Sequence, residues 1–238
     1  MKIKVQTISL IITAAGSGQR FGSPESKVLV PLLGKPVITH TLEQFSNVMQ
    51  ISHCVITATP GQELAIKSAI SKVNVPFSVD VITGGKRRQD SVKMAVNELS
   101  QWRKATNTTM VLIHDGARPH VSSELMDRLF SSSNTCDAVI PVIPVTDTIK
   151  QVDSEGMVVN TLDRGRLRAV QTPQLFSISV LKSAYEQGDD GEFTDEAMLV
   201  ERHGISVKTV DGDVNNIKLT YPVDLERLVQ VKGCLNLG

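Results

Sequence analysis

A chain of 238 residues is long enough for one or two domains, and folding at this length buries roughly 70% of the surface that the unfolded chain exposes, so no metal or disulfide staple is needed. Its 25 Lys and Arg balance 25 Asp and Glu; no global polycation is available to coat nucleic acid or an anionic membrane, and any anion must be held by a local cluster. Cys54, Cys136 and Cys234 are odd in number, far apart and free of CxxC spacing. That pattern argues against a disulfide scaffold or a thiolate metal site and fits a reducing compartment. The apolar run 8–12 follows Lys2 and Lys4 but passes straight into glycine-rich sequence, too short for a membrane span and without the layout of a secretory signal. A soluble, cytoplasmic protein is expected.

In chain order, short apolar runs alternate with stretches of helical periodicity. Strands are predicted over residues 9–13, 53–58, 78–82, 109–114 and 137–142, with a late one at 206–210; helices over 36–45, 61–72, 88–102 and 122–132 place apolar residues three and four apart. Strands with few charges between helices of about three turns describe a mostly parallel sheet covered on both faces, an α/β fold. The units up to about residue 144 read as a nucleotide-binding half. Residues 145–169 then alternate polar and β-branched side chains around a turn signal at 153–156, predicting a protruding hairpin. A two-stranded hairpin is marginal in water, so this arm is expected to pack on something, such as a second subunit. Helices at 178–187, 195–202 and 223–231 complete the chain, the last behind Pro222. No internal repeat or heptad array is present.

Three stretches carry chemistry. Directly after the first strand comes AAGSGQRFG (14–22), whose small residues let backbone N–H groups cradle phosphate oxygens. Phe21 stands where a dinucleotide fingerprint needs glycine, and no GxxxxGK[ST] occurs. What remains is a phosphate loop with Arg20 inside it and Lys27 beyond, two cations suited to a triphosphate whose charge shifts toward a leaving pyrophosphate; the same residues also read as an ordinary surface turn. GGKRRQDS (84–91) follows another strand. Its Gly-Gly turn and Ser91 near a helix start suit a base or ribose, while three successive cations alone read as a solvated basic patch. HDGARP (114–119) places Asp115 at the carboxyl edge of the sheet, where open α/β folds bind ligands. A carboxylate there suits Mg²⁺ or sugar hydroxyls. Gly116 allows close approach, Arg118 pairs with Asp115 or meets a phosphate, and His114 reads as structural.

Taken together, these motifs resemble the 2-C-methyl-D-erythritol 4-phosphate cytidylyltransferases of the non-mevalonate isoprenoid pathway, over residues 8–229. The resemblance rests also on LGKPVITHTLE (33–43), PVTDTIK (144–150), TLDRGRLRAVQTPQ (161–174), TDEA (194–197) and NNIKLT (215–220). It implies a Rossmann-like nucleotidyltransferase domain spanning 1–238, with 145–169 as a dimerisation arm. By the same resemblance, Arg20 and Lys27 bind the triphosphate and stabilise the transition state. Ala14, Ala15, Gly16, Gly18, Gly84, Asp90 and Ser91 surround the nucleotide. Asp115 is shared between Mg²⁺ or CTP and the acceptor, Arg118 and Thr194 contact the polyol, and Lys218 and Arg164 take the acceptor phosphate, Arg164 from an arm exchanged across a homodimer. One departure is that Ser26 and Val28 flank Lys27, where the family has Pro and Gln. The chain ends soon after the last helix, so no fused downstream domain is expected.

The reaction so implied is in-line attack of the acceptor phosphate on the α-phosphorus of CTP. It requires positioning and charge compensation rather than a general base, because the nucleophile is already an anion. Competing templates fare poorly. The five histidines form no HxxxH or HExxH pair and Ser17 lies in no GxSxG elbow; Trp102 and two tyrosines are too few for a base-stacking platform. Two alternatives remain open: a cytidylyltransferase for ribitol or ribulose 5-phosphate, distinguished only by the acceptor half, and a non-catalytic nucleotide-sensing or scaffold protein on the same fold.

Overall fold

A computed structural model describes residues 7–16, 21, 26–106, 108–188 and 191–235. The first half builds β1 (Ile8–Ala14), a small ribbon of β2 (Pro31–Leu32) and β3 (Lys35–Pro36), α1 (Val37–Glu43), β4 (Ile51–Ala58), α2 (Glu63–Ile70), β5 (Ser78–Thr83), α3 (Arg88–Thr106), β6 (Met110–Asp115), α4 (Ser123–Ser133) and β7 (Ala138–Pro144). Each predicted strand and helix of this half is present, with ends moved by a few residues.

The arm follows as β8 (Lys150–Val152) and β9 (Val158–Thr161), then β10 (Arg168–Val170) returns to the main sheet. Last come β11 (Gln174–Ser177), α5 (Ile178–Gln187), α6 (Glu196–Arg202), β12 (Lys208–Asp211) and α7 (Val223–Leu235).

The large sheet runs β10-β7-β11-β6-β1-β4-β5, with β12 also on β7. The half made of β5, β4, β1 and β6 is parallel throughout. The other half is mixed, because β11 runs antiparallel to both β6 and β7 and β10 antiparallel to β7. The expected mostly parallel sheet is therefore parallel only where βαβ units repeat. Strand β11 escaped the sequence reading for a physical reason. Four residues behind Pro173 make no alternation, and their strand state is imposed by two flanking strands that leave all four buried. Val139 and Val142 of β7 each pair on both edges, so β12 lines one edge while β11 and β10 share the other.

Both faces of the sheet are covered, which is why its strands read as continuous apolar runs. Leu10, Ile12, Ile56, Leu112 and Leu175 pack on one side with Ile38, Leu42, Ile66, Leu125, Leu129 and Leu228 of α1, α2, α4 and α7. On the other side, Ile11, Val55, Ile113 and Phe176 meet Val92, Val96 and Leu99 of α3 together with Leu181 of α5 and Val200 of α6. Period-two alternation along β1 sends Leu10 and Ile12 to one layer and Ile11 to the other.

Register decides where the ligand edge lies. Ala14 stands beside Ala58, Ala58 beside Thr83 and Thr13 beside Asp115, so four parallel strands end level and their following loops share one rim. At that rim Gly116 tucks its N–H against Thr13 O at 2.9 Å. A Cβ on Gly116 would sit 3.0 Å from that same oxygen, a tight contact that glycine avoids as the chain turns close to β1.

The arm is an antiparallel hairpin whose register shifts between Gln151 and Val152. Lys150 pairs with Thr161 and Gln151 with Asn160. Asp153 closes its turn, Oδ1 accepting the N–H groups of Glu155 and Met157 at 3.0 and 2.9 Å, with Gly156 at φ +83°. Val152, Met157, Val158 and Val159 are all exposed within this chain.

His114 is buried at the end of β6 in a chain of hydrogen bonds. Its Nε2 lies 3.0 Å from Arg118 O, which can only accept, so Nε2 carries the proton. Nδ1 then accepts the Thr172 hydroxyl at 3.1 Å, and Thr172 Oγ1 in turn accepts the Asp115 N–H at 3.0 Å. The arrangement needs a neutral imidazole, and burial pushes His114 from its ordinary 6.5 down to about 4. Burial lowers His40, His53 and His120 as well. Between the two His114 values the unfolded chain binds more protons than the folded one. Stability is therefore full above the unfolded pKa and is lost as pH falls toward the folded one. From His114 alone the urea-unfolding free energy should drop by about 2 kcal/mol between pH 7 and pH 5. The His114→Gln variant should show a flatter dependence; equal slopes in the two proteins would refute the assignment.

Candidate active site

The loop after β5 is folded on itself. Gly84 N–H donates to Ala58 O at 2.7 Å, and a Cβ on Gly84 would stand 2.5 Å from Ala15 Cβ and 2.9 Å from Ser91 Oγ. The absence of a side chain there is what lets the 84–91 loop press against the end of β1, bringing two of the sequence motifs together. Ser91 is buried, and its Oγ accepts the Gly85 N–H at 3.0 Å while donating to Arg87 O at 3.2 Å. Its hydroxyl thus shapes the loop. Asp90 takes a bidentate grip from Arg87, at 3.0 and 2.8 Å, and accepts the Arg87 N–H; hydrogen bonds from Arg87 hold its carboxyl below its ordinary value.

The three cations 86–88 separate in space. Lys86 and Arg87 are exposed, as a solvated patch would be. Arg88 turns inward. Its Nη1 donates to both oxygens of Glu196, at 2.9 and 2.7 Å, and its Nε lies 3.6 Å from Asp115 Oδ1.

Asp115 is the centre of the cluster. Its side chain is only 8% exposed, with Lys218 Nζ 2.7 Å and Arg118 Nε 3.6 Å from Oδ2. Burial acts to raise the carboxyl, but Lys218, Arg88 and Arg118 together outweigh it and hold the group well below the usual carboxylate range. These three cations face two carboxylates, Asp115 and Glu196, so the cluster carries one positive charge in excess. That excess suits a polyanionic ligand.

The backbone of the 215–220 segment is fastened to the Asp115 turn. Arg118 Nη1 donates to Asn216 O at 2.6 Å, Leu219 N–H to Ala117 O at 2.8 Å, and Asn216 Nδ2 to Thr172 O at 2.7 Å. Lys218 reaches Asp115 because this segment is held flush against the end of β6. The segment 191–193, just before Thr194, is likewise tied to α3. Gln89 Nε2 donates to Gly191 O and its Oε1 accepts the Phe193 N–H, both at 3.2 Å. Asp195 caps α6 through the Met198 N–H at 3.0 Å and accepts Gln174 Nε2 at 2.9 Å.

The structure thus gathers Ala14, Ala15, Gly84, Ser91, Asp115, Arg118 and Lys218 along one rim. Gly16 is exposed just beyond β1, Lys27 opens a short 3-10 helix, Lys27–Leu29, and Thr194 is exposed immediately before the α6 cap. Arg164 is elsewhere in this chain. It sits on the arm, where its Nη1 donates to Thr146 O at 2.6 Å, and it has no contact with Asp115. Gly18 and Arg20 lie outside the described residues. Arg88, Gln89 and Glu196 were not singled out from the sequence. Arg88 was one of three adjacent cations and Glu196 one acid in an amphipathic helix, and no local pattern marks a contact between positions 108 residues apart.

The rim is located by converging charge and not by cavity volume. A recess of about 540 Å³ lined by Leu42, Lys67, Phe77, Val79 and Val81 lies at the β5 edge and includes none of the site residues. Among the described residues, no group of three or more His, Cys, Asp or Glu gathers as a metal cluster. No helix among them is long and apolar enough to cross a membrane.

Comparison with known proteins agrees with this geometry. The family profile of the 2-C-methyl-D-erythritol 4-phosphate cytidylyltransferases (IspD) matches residues 8–230. The enzyme of that name from Microcystis aeruginosa is 43% identical over 91% of this chain and 94% of its own, and that from Synechococcus elongatus 39% over 91% and 92%. Among solved structures, the 4-diphosphocytidyl-2C-methyl-D-erythritol synthase of Anaerococcus prevotii superposes with a TM-score of 0.82 at 28% identity, covering 97% of this chain and all of that one. The bifunctional IspDF of Campylobacter jejuni gives 0.75 at 27% identity, covering 93% of this chain but 54% of its own. A chain with this strand order, this charged rim and this extent of similarity belongs to the 2-C-methyl-D-erythritol 4-phosphate cytidylyltransferase family.

Proposed function

We propose that this protein transfers a cytidylyl group from CTP to 2-C-methyl-D-erythritol 4-phosphate, giving 4-diphosphocytidyl-2-C-methyl-D-erythritol and pyrophosphate. The observation that carries the proposal is the buried Asp115 carboxylate at the end of β6, ringed by Lys218, Arg88 and Arg118, in a chain that matches the family along almost its whole length. An acceptor-phosphate oxygen bonds to the α-phosphorus as the bond from that phosphorus to the pyrophosphate oxygen breaks. No proton has to be removed from the nucleophile. The barrier lies in bringing two polyanions together and in stabilising the charge that moves to the leaving group.

Roles are assigned from position for the described residues and from the family resemblance for Gly18 and Arg20. Ala14, Ala15, Gly16, Gly84, Asp90 and Ser91, with Gly18, are assigned to the nucleotide side, where backbone N–H groups of two adjoining loops suit phosphate, ribose and base. Arg20 and Lys27 are assigned to charge compensation on the triphosphate. Lys218 and Arg118 hold the acceptor with Thr194, and Asp115 accepts from its hydroxyls. For Mg²⁺, which is commonly held by one or two carboxylates with waters and substrate phosphates completing its shell, the rim offers the single carboxylate of Asp115. Asp115 would be its protein ligand, and the ion would neutralise triphosphate oxygens.

Arg164 enters from a second subunit. The exposed apolar side chains of the arm, Val152, Met157, Val158 and Val159, support an arm that packs on a partner, and a homodimer exchanging arms would carry each Arg164 to the other chain's acceptor site. Mixing a Lys27→Met protomer with an Arg164→Ala protomer should then regenerate sites that hold both native residues. Tagged mixed dimers with no activity above either parent would count against the exchange. Acceptor identity is decided by competition. With CTP and Mg²⁺, kcat/KM for 2-C-methyl-D-erythritol 4-phosphate should exceed that for ribitol 5-phosphate by about a hundredfold or more, since mismatched hydroxyls leave buried polar groups unpaired. Preference for ribitol 5-phosphate would move the protein to the pentitol-phosphate class, and no pyrophosphate release with any acceptor would leave a nucleotide-binding protein.

A further inference from the structure

Glu196 is fully buried at the first turn of α6. Burial lifts its carboxyl above the ordinary range, and Arg88 opposes that rise through charge and two hydrogen bonds. A guanidinium does not release its proton, and contacts of 2.7 and 2.9 Å from one nitrogen to both carboxylate oxygens are those of an ion pair. Tyr185 adds its hydroxyl to Glu196 Oε1 at 3.3 Å. Stability alone does not explain such a pair, because well-packed apolar residues of similar volume often serve a core as well or better. Apolar residues, however, would put no charge beside Asp115.

We propose that Arg88 and Glu196 are a positioning pair for cytidylyl transfer: Glu196 fixes the Arg88 guanidinium so that its Nε edge faces Asp115, and the pair clamps the nucleotide loop to the acceptor segment. The proposal rests on the reaction assigned above. Arg88 opens α3 within the 84–91 stretch, and Glu196 follows Thr194 by two residues. The neighbouring Gln89 makes two further bonds to the backbone of residues 191 and 193. Four hydrogen bonds from consecutive side chains therefore cross between the nucleotide side and the acceptor side. Asp115 lies between, oriented from one oxygen by Arg88 and from the other by Lys218. Arginine is required because one flat, rigid fork addresses two carboxylates at once; a lysine presents a single point of charge.

The test separates positioning from mere support. Replacing both partners, Arg88→Met with Glu196→Met, leaves no unpaired buried charge, so the variant should melt within a few degrees of wild type. Its kcat/KM for the acceptor should nevertheless fall about tenfold or more, mainly in kcat, as loss of an orienting partner does. A folded double variant with wild-type kcat/KM would overturn the proposal. Should the double variant not fold, Glu196→Gln keeps the shape and removes the charge, and it should lower kcat with little change in CTP affinity; full activity in that variant would likewise overturn it. A wild-type protein without cytidylyl transfer would instead defeat the assigned reaction, whereas wild-type transfer beside an equally active double variant would defeat the positioning alone.

Discussion

A carboxylate taken out of water stays charged only if the chain supplies compensation for its lost solvation, and at Asp115 that requirement organises much of the second half of the molecule. Three cations reach it from three places: Arg118 from its own turn, Arg88 from the start of α3, and Lys218 from a segment near the C-terminal end. Each must be delivered by backbone that is itself anchored. Hence the bonds between residues 216 and 172, 216 and 118, and 219 and 117, and hence Glu196, which neutralises the cation that Asp115 leaves half-satisfied. The fold puts the charge in place and the charge, in turn, ties distant parts of the chain together.

The rim is also self-neutralising in part. Lys218 Nζ lies 2.7 Å from Asp115 Oδ2, so this cation already has an anion, and that contact offsets the repulsion among three cations at close quarters.

Much of this was legible from the amino-acid order because it is local. A strand ending in Asp115, a glycine pair closing against small residues, a turn at 153–156 and helices with apolar residues three and four apart are all short-range patterns, and each appears where expected. The unread parts are those made by tertiary contact. Strand β11 has no alternation of its own and exists because β6 and β7 leave a slot for it. Arg88 differs from Lys86 and Arg87 only in which way the first turn of α3 faces. Glu196 looks like any acid near a helix start until the fold brings a guanidinium to it. Asp90 illustrates the converse, since its grip on Arg87 is a contact three residues away that the motif itself contains.

The root of the arm has a further consequence. Pro144 and Arg168 are paired opposite one another on β7 and β10, so the whole excursion between them leaves the sheet and re-enters it at one point. Residues added to or removed from the hairpin change neither the register of β7 nor the placement of Thr172 against Asp115; they alter only a closed loop, whose entropy depends weakly on its length. The arm is thereby uncoupled from the core in the way an insertion site is. Its length and tip can change while the charged rim stays in place, and the same junction offers a place to graft a different hairpin.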